Sequence, residues 1–303
     1  NSDEFAACKA LTRSINNACN ETPRYMGLRE LVQNSIDAII RYQRIEPGFH
    51  GRVVVAPFWD GYNQKITNKL CVADNGISMS IAEVQKHLNN LHNSGNDQGH
   101  EFSSGTARHK GQGAKTALLP YNKLGMEYYL MQQNERPVFC NLWCNEKDYD
   151  GQPVYEVQAC SEDNGYFARA KESEMETALF RNFITDSGHG TIVKLNGNEE
   201  DESTLNSENI LGCFSRTTYA LVRLLESRYW KLPQDITISV LRDLHSKSSD
   251  SNVVNGAHQR LTNICDEGNS GSLELTTEEG MPFVLHWYLT KSEAEAQGSR
   301  SKF

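Results

Sequence analysis

Tyr25-Met-Gly-Leu-Arg-Glu30-Leu-Val-Gln-Asn34-Ser-Ile-Asp37-Ala-Ile-Ile40 is the stretch on which the reading of this chain turns. At the helical step of about 100° per residue, Glu30, Asn34 and Asp37 fall within about 60° of one another. Leu28, Leu31, Val32, Ile36, Ile39 and Ile40 spread over the opposite half, so one face is core and the other a row of oxygen-bearing side chains. Thr22 can cap this helix, and Pro23 suits a first turn where a missing amide costs nothing. The spacing predicts a helix to about Arg44, ended before Pro47-Gly48. Taken alone, an E-x-x-x-N-x-x-D row is most simply a solvated face.

Its company changes that reading. Downstream stand Ala73-Asp74-Asn75-Gly76-Ile77-Ser78-Met79, Lys110-Gly111-Gln112-Gly113-Ala114-Lys115-Thr116, and Ser187-Gly188-His189-Gly190-Thr191-Ile192-Val193. In order and separation, the four segments resemble the N box and three glycine boxes of the GHKL (Bergerat-fold) ATPases. That superfamily includes gyrase B subunits, MutL, type IIB topoisomerases, the large heat-shock chaperones, MORC proteins and sensor histidine kinases. The resemblance covers about the first two thirds of the chain.

What the resemblance implies is a site for ATP and Mg²⁺. Glu30 matches the residue that orients and activates the attacking water, and Asn34 matches the magnesium ligand. An amide oxygen with phosphate oxygens and waters is a reasonable shell for that ion. Asp37 completes the N box. Asp74 matches the carboxylate that accepts the exocyclic amino proton of adenine, and because a carboxylate only accepts, it selects ATP over GTP. Gly76 lets the backbone approach the base, Met79 belongs to the same nucleotide site, and Thr191 matches the threonine supporting the adenine side. Lys110, Gly111, Gly113 and Lys115 are the phosphate-side candidates, with amides leading into a helix. The P-loop spacing is absent. Ser78 departs from the family, which usually has glycine there.

Composition sets outer limits. The 303 residues suffice for one large domain or two ordinary ones. A hydrophobic share of 38% and a charged share of 23% are those of a soluble globular protein. No apolar run reaches membrane-span length and no signal-peptide core is visible, so the expectation is a cytoplasmic protein without membrane contact. The net charge of −9 argues against a chain that coats nucleic acid throughout. Eight scattered cysteines read as free thiols, since Cys140-x-x-x-Cys144 lacks a second pair of ligands for zinc. His92, His100 and His109 are spaced too irregularly for a metal and read as surface residues.

Along the chain, residues 3–19 read as a short helix. Residues 52–58 and 69–73 read as strands, and Ser80 caps a helix to about Leu91. The polar run of about 92–113 reads as a lid over the nucleotide. Strands follow at 125–131, 137–143, 154–158 and 190–195, with an acidic, irregular stretch at 160–188. A long helix is expected over 210–230, and strands again over 235–241 and 283–289. The fold expected is α+β: a two-layer sandwich of a mixed, mostly antiparallel sheet with helices on one face, followed by the start of a second α/β element. The ATP-binding domain is assigned to 1–230. Residues 231–303 resemble the opening of a transducer, which implies a natural chain longer than 303 residues.

The function expected is slow Mg²⁺-dependent ATP hydrolysis that drives lid closure and ATP-dependent homodimerisation as a conformational switch, with DNA maintenance or defence as its setting. DNA or protein clients would be engaged through regions outside this chain. The alternatives are a histidine-kinase-type catalytic domain, which lacks here a preceding phosphoacceptor helix pair, and a non-hydrolysing ATP sensor.

Overall fold

The computed structural model describes residues 8–13, 15–16, 25–60, 65–88, 113–133, 135–146, 153–159, 165–170, 175, 178–204, 218–241, 253–277 and 280–290. The chain divides into two units, one of Asn1–Leu224 with Gln234–Val253, the other of Leu225–Pro233 with Val254–Phe303.

The organising helix, α1, runs over Tyr25–Ile45. Leu28, Leu31, Val32, Ile36 and Ile39 are buried, as their spacing requires. Each such side chain contributes about 1.5–3 kcal/mol when removed from water. The surface they cover is a sheet of eight strands: β1 (Gly51–Asp60), β2 (Lys65–Asp74), β3 (Met126–Met131), β4 (Val138–Asn145), β5 (Val154–Val157), β6 (Ala168–Arg169), β7 (Gly190–Leu195) and β8 (Ile236–Val240). Their order is β5-β4-β3-β7-β2-β1-β8, with β6 beside β4. Every pair is antiparallel except β1 with β8. The sheet is therefore mixed and mostly antiparallel, as expected. Residues 235–241, read as a strand in the tail, instead continue the large sheet, because β8 lies beside β1.

Period-two alternation divides the sheet into two apolar faces. Asp74 lies on the α1 side, where its carboxylate meets Ser35. The other face carries Val54, Ala56, Phe58, Cys71, Ala73, Tyr129 and Ile192, packed against Leu179, Phe180, Phe183 and Ile184. Those four lie in a single helical turn, Ala178–Phe180, that widens into a π turn over Arg181–Thr185. The stretch 160–188, expected to be irregular because acidic residues dilute the apolar ones, therefore contains helical turns over 178–185. The consequence is helical cover on both faces of the sheet.

Shorter helices complete the unit. Helix α2 (Ile81–Leu88) opens with a reciprocal cap, Ser80 N–H donating to Glu83 Oε2 at 2.7 Å and Glu83 N–H to Ser80 Oγ at 3.2 Å. Helix α3 (Gly113–Leu118) runs into a 3₁₀ turn over Leu119–Tyr121 and packs on α1. Helical residues 8–13 bury Cys8 and Leu11, and Thr12 Oγ1 accepts the Tyr155 amide at 3.0 Å. Helix α5 of the long stretch expected over 210–230 spans Thr218–Glu226, where α4 denotes Ala178–Phe180.

In the second unit, α6 (Ala257–Ile264) precedes a hairpin of β9 (Cys265–Thr276) and β10 (Pro282–Thr290). His258 of α6 pairs with the Tyr288 hydroxyl, and Trp230 lies 5.4 Å from the His258 ring and 5.5 Å from that of His286.

Candidate functional site

The carboxyl end of β2 delivers Asp74 into the space under α1. Its side chain is buried, with Oδ2 accepting the Ser35 hydroxyl at 2.8 Å and Oδ1 the Gly76 amide at 2.9 Å. Burial pushes this carboxyl up to about 7, against the opposing effects of the Ser35 and Gly76 hydrogen bonds and the Arg41 charge. Arg41 Nε is itself buried with no hydrogen-bond partner among the described residues. Each Asp74 oxygen has a lone pair beyond the one these donors use, so the group can accept further donors.

The turn after Asp74 lies hard against α1. A Cβ on Gly76 would stand 2.6 Å from the Ala38 carbonyl carbon and 2.6 Å from the Ile39 nitrogen, so only glycine fits that approach. Ile77 N–H donates to the Ala38 carbonyl at 3.2 Å. On the other side, His189 Nδ1 lies 3.1 Å from the Gly76 carbonyl, which can only accept, so the imidazole carries its proton on Nδ1. The His189 ring lies on Tyr42 of α1 at 3.9 Å between centroids.

Strand β7 brings the fourth segment. Thr191 is the register partner of Asp74, and its hydroxyl lies 3.5 Å from Ser78 Oγ. Gly190, at φ +147°, occupies backbone space closed to other residues: a Cβ there would meet the Phe183 carbonyl oxygen at 2.3 Å and that of Asp74 at 2.5 Å.

Of the two acidic residues of α1, Glu30 lies toward its amino-terminal end. Glu30 pairs with Arg29 at 3.1 Å, and a Cβ on Gly113 would fall 2.4 Å from Glu30 Oε2. The first residue of α3 thus abuts that carboxylate. Lys115, two residues on, is buried, and burial holds its ammonium down to about 8. Asn34 is exposed on α1, whereas Asp37 is buried and accepts Gln33 Nε2 at 3.0 Å. Met79 is half-buried beside Ser78.

The geometry therefore sets the Asp74 turn and the start of α3 against α1, and the Gly190 corner against Asp74. Lys110 and Gly111 lie outside the described residues, as do His92, His100, His109 and the rest of the expected lid up to residue 112. Sequence reasoning missed Ser35 and His189. Ser35 had a legible signal: it lies four residues from Leu31 and from Ile39, on the apolar stripe, where a hydroxyl needs a buried partner. His189 had none, because its partner is a backbone carbonyl more than a hundred residues away.

Among the described residues no group of three or more His, Cys, Asp or Glu is disposed to hold a metal. A magnesium ion held by one amide and by phosphate oxygens needs no such group, so the exposed Asn34 fits that role. Five described cysteines, Cys8, Cys71, Cys140, Cys144 and Cys265, are free thiols. No described helix is long and apolar enough to cross a membrane. Comparison with protein-family models finds no match, and a search of curated proteins finds no significant relative.

Proposed function

We propose that the site around Asp74 binds ATP, and that the chain is a slow Mg²⁺-dependent ATPase of the GHKL type built on a Bergerat fold. The observation that carries the reading is the buried Asp74 carboxyl, held by a helix hydroxyl and a turn amide, with Thr191 across the ladder. A buried carboxyl with unused lone pairs suits an exocyclic amino group, and guanine offers a carbonyl at that edge. Gly76 keeps the turn free of side-chain bulk.

The phosphates would lie toward the amino-terminal end of α1. Asn34 would hold the magnesium ion, which neutralises phosphate charge when bound. Glu30, fixed by Arg29 and set against Gly113, is the general base that orients water. Lys115 supplies positive charge once a phosphate raises its proton affinity. ATP-dependent pairing of two copies would make binding a population shift, with product release gating turnover. The client of the switch is DNA or another protein.

The test is Mg²⁺-dependent hydrolysis by the chain and by Glu30→Gln. The variant is expected to bind ATP within about threefold of the parent and to lose at least ~100-fold in turnover. Equal turnover in both removes Glu30 from the chemistry. Failure of the parent to bind ATP ends the reading, and binding without hydrolysis by either leaves a nucleotide sensor.

A further inference from the structure

In the β9–β10 hairpin, Phe283 pairs with Leu275, Leu285 with Leu273, and Trp287 with Gly271. Directly opposed residues share a face, so Leu273, Leu275, Phe283, Leu285 and Trp287 lie on one side, and alternation adds Leu289. All six are exposed, from 38% at Trp287 to 60% at Leu289. No charged residue lies on this face between Gly271 and Leu275 or between Phe283 and Leu289. The opposite face carries His286 and Tyr288, which meet Trp230 and His258. That side is partly covered at His286 and Tyr288, though Val284 on it is 50% exposed, and the large apolar side chains of the first face are bare along its length.

A two-stranded hairpin is marginal in water unless its apolar face is packed. The bare face offers about 500 Å² of apolar surface, as large as the patches that mark interaction sites. We infer that this face is a nucleotide-independent homodimer interface, in which the hairpins of two copies pack face to face. Two observations favour a second copy. An uncharged apolar face is complementary to itself, so a two-fold axis brings no like charges together within it. Two such faces also bury about 1,000 Å² in all, the lower bound of a specific interface. Aligned sheet packing supplies the geometry, with side chains of the two inner faces interdigitating.

The affinity follows from the same observations. An interface at the small end of the range gives a micromolar rather than a nanomolar dimer. Each copy carries a net charge of −9, so the copies repel at long range and added salt strengthens the pair. This inference does not rest on the proposed ATPase, because no residue of the face belongs to that site.

Sedimentation of the nucleotide-free chain from about 1 to 100 μM, in low and high salt, tests it. Dimerisation that tightens with salt is expected. Leu285→Glu should weaken it at least tenfold, and Leu285→Met should preserve it. Leu273→Lys, on the facing strand, is the second disrupting variant should Leu285→Glu fail to fold, with circular dichroism as the check on each. A chain that stays monomeric at about 100 μM overturns the proposal. So does a dimer that both charged variants leave intact, or one that forms only with ATP, an outcome that would support the switch instead.

Discussion

The carboxyl end of β2 and the outer face of the hairpin leave opposite imbalances. At Asp74 a polar group is buried, and its partners come from α1 and the following turn. On the hairpin, large apolar groups are exposed. Solvation penalises both arrangements, the first through desolvation and the second through hydration of hydrocarbon. Polar groups taken inside and apolar groups left outside are where a fold departs from its own stability optimum, and those departures point to what it binds. On this argument Asp74 awaits a hydrogen-bond donor and the hairpin awaits a surface.

Gly190→Ala is the harshest test of the first region. The new methyl would meet two backbone carbonyl oxygens, at 2.3 Å and 2.5 Å, in a conformation at φ +147°. Neither oxygen can step aside as a flexible side chain would. A cost of at least about 3 kcal/mol is expected, lowering Tm by about 10 °C in thermal denaturation. Leu285→Glu, by contrast, should leave the Tm of the dilute monomer nearly unchanged. Equal Tm losses from the two would erase the distinction between a tightly built corner and a bare face.

Asp74→Asn separates binding from stability. The folded-state pKa, raised from 3.8 to about 7, means that the folded protein holds a proton that the unfolded chain has lost. The stability Asp74 contributes is thus fully present below about pH 3.8 and lost as pH rises through about 7. The amide escapes that loss, so above pH 7 the variant should be more stable than the parent, by up to about 4 kcal/mol, with the difference vanishing in acid. Its ATP affinity should nevertheless fall at least ~100-fold, because an amide nitrogen now stands among the acceptors. Denaturant titration across pH and calorimetric binding report the two effects. A variant less stable than the parent at pH 8 would mean that Asp74 is held as a settled ion.

The parent's own pH profile is a subtler effect. If ionised Asp74 accepts the adenine amino group as proposed, affinity should rise as pH climbs to about 7. Protonated Lys115 suits the phosphates, and with its ammonium held down to about 8, affinity should fall above that pH. The expected profile is a bell with its crest between 7 and 8, changing up to tenfold per unit on each limb. Lys115→Met should remove the alkaline limb and keep the acid one, as measured by calorimetry. An alkaline limb that persists in this variant would take Lys115 out of the phosphate site.

The legibility of the two regions differed for a physical reason. The helix of Glu30 and Asn34, the strand ending at Asp74 and the alternation of Thr191-Ile-Val-Lys-Leu195 are local periodic signals, and each element formed where its period placed it. The second cover of the sheet was not legible, because Leu179, Phe180, Phe183 and Ile184 occupy a π-widened turn that obeys neither period. The place of β8 depended on a parallel pairing with β1 across some 180 residues, which no local pattern encodes. The bare face of the hairpin was visible as apolar alternation over 283–289. Alternation announces an apolar face, however, and cannot show that the face is exposed.

Ser78→Gly introduces the glycine usual at this place in the GHKL ATPases and should change least. The Ser78 and Thr191 hydroxyls are 3.5 Å apart, at the outer limit of a hydrogen bond, so the contact contributes little. Removing the hydroxymethyl should alter ATP affinity by no more than about threefold. Stability should fall by about 0.5–1 kcal/mol from the added freedom of glycine in the unfolded chain. If affinity instead rises tenfold, the buried Ser78 obstructs the base, and the Asp74 pocket is tuned against its ligand by this one side chain. If affinity falls tenfold, the hydroxyl is itself a ligand contact, and Ser78 joins Asp74 as a polar group whose burial makes sense only when the site is filled.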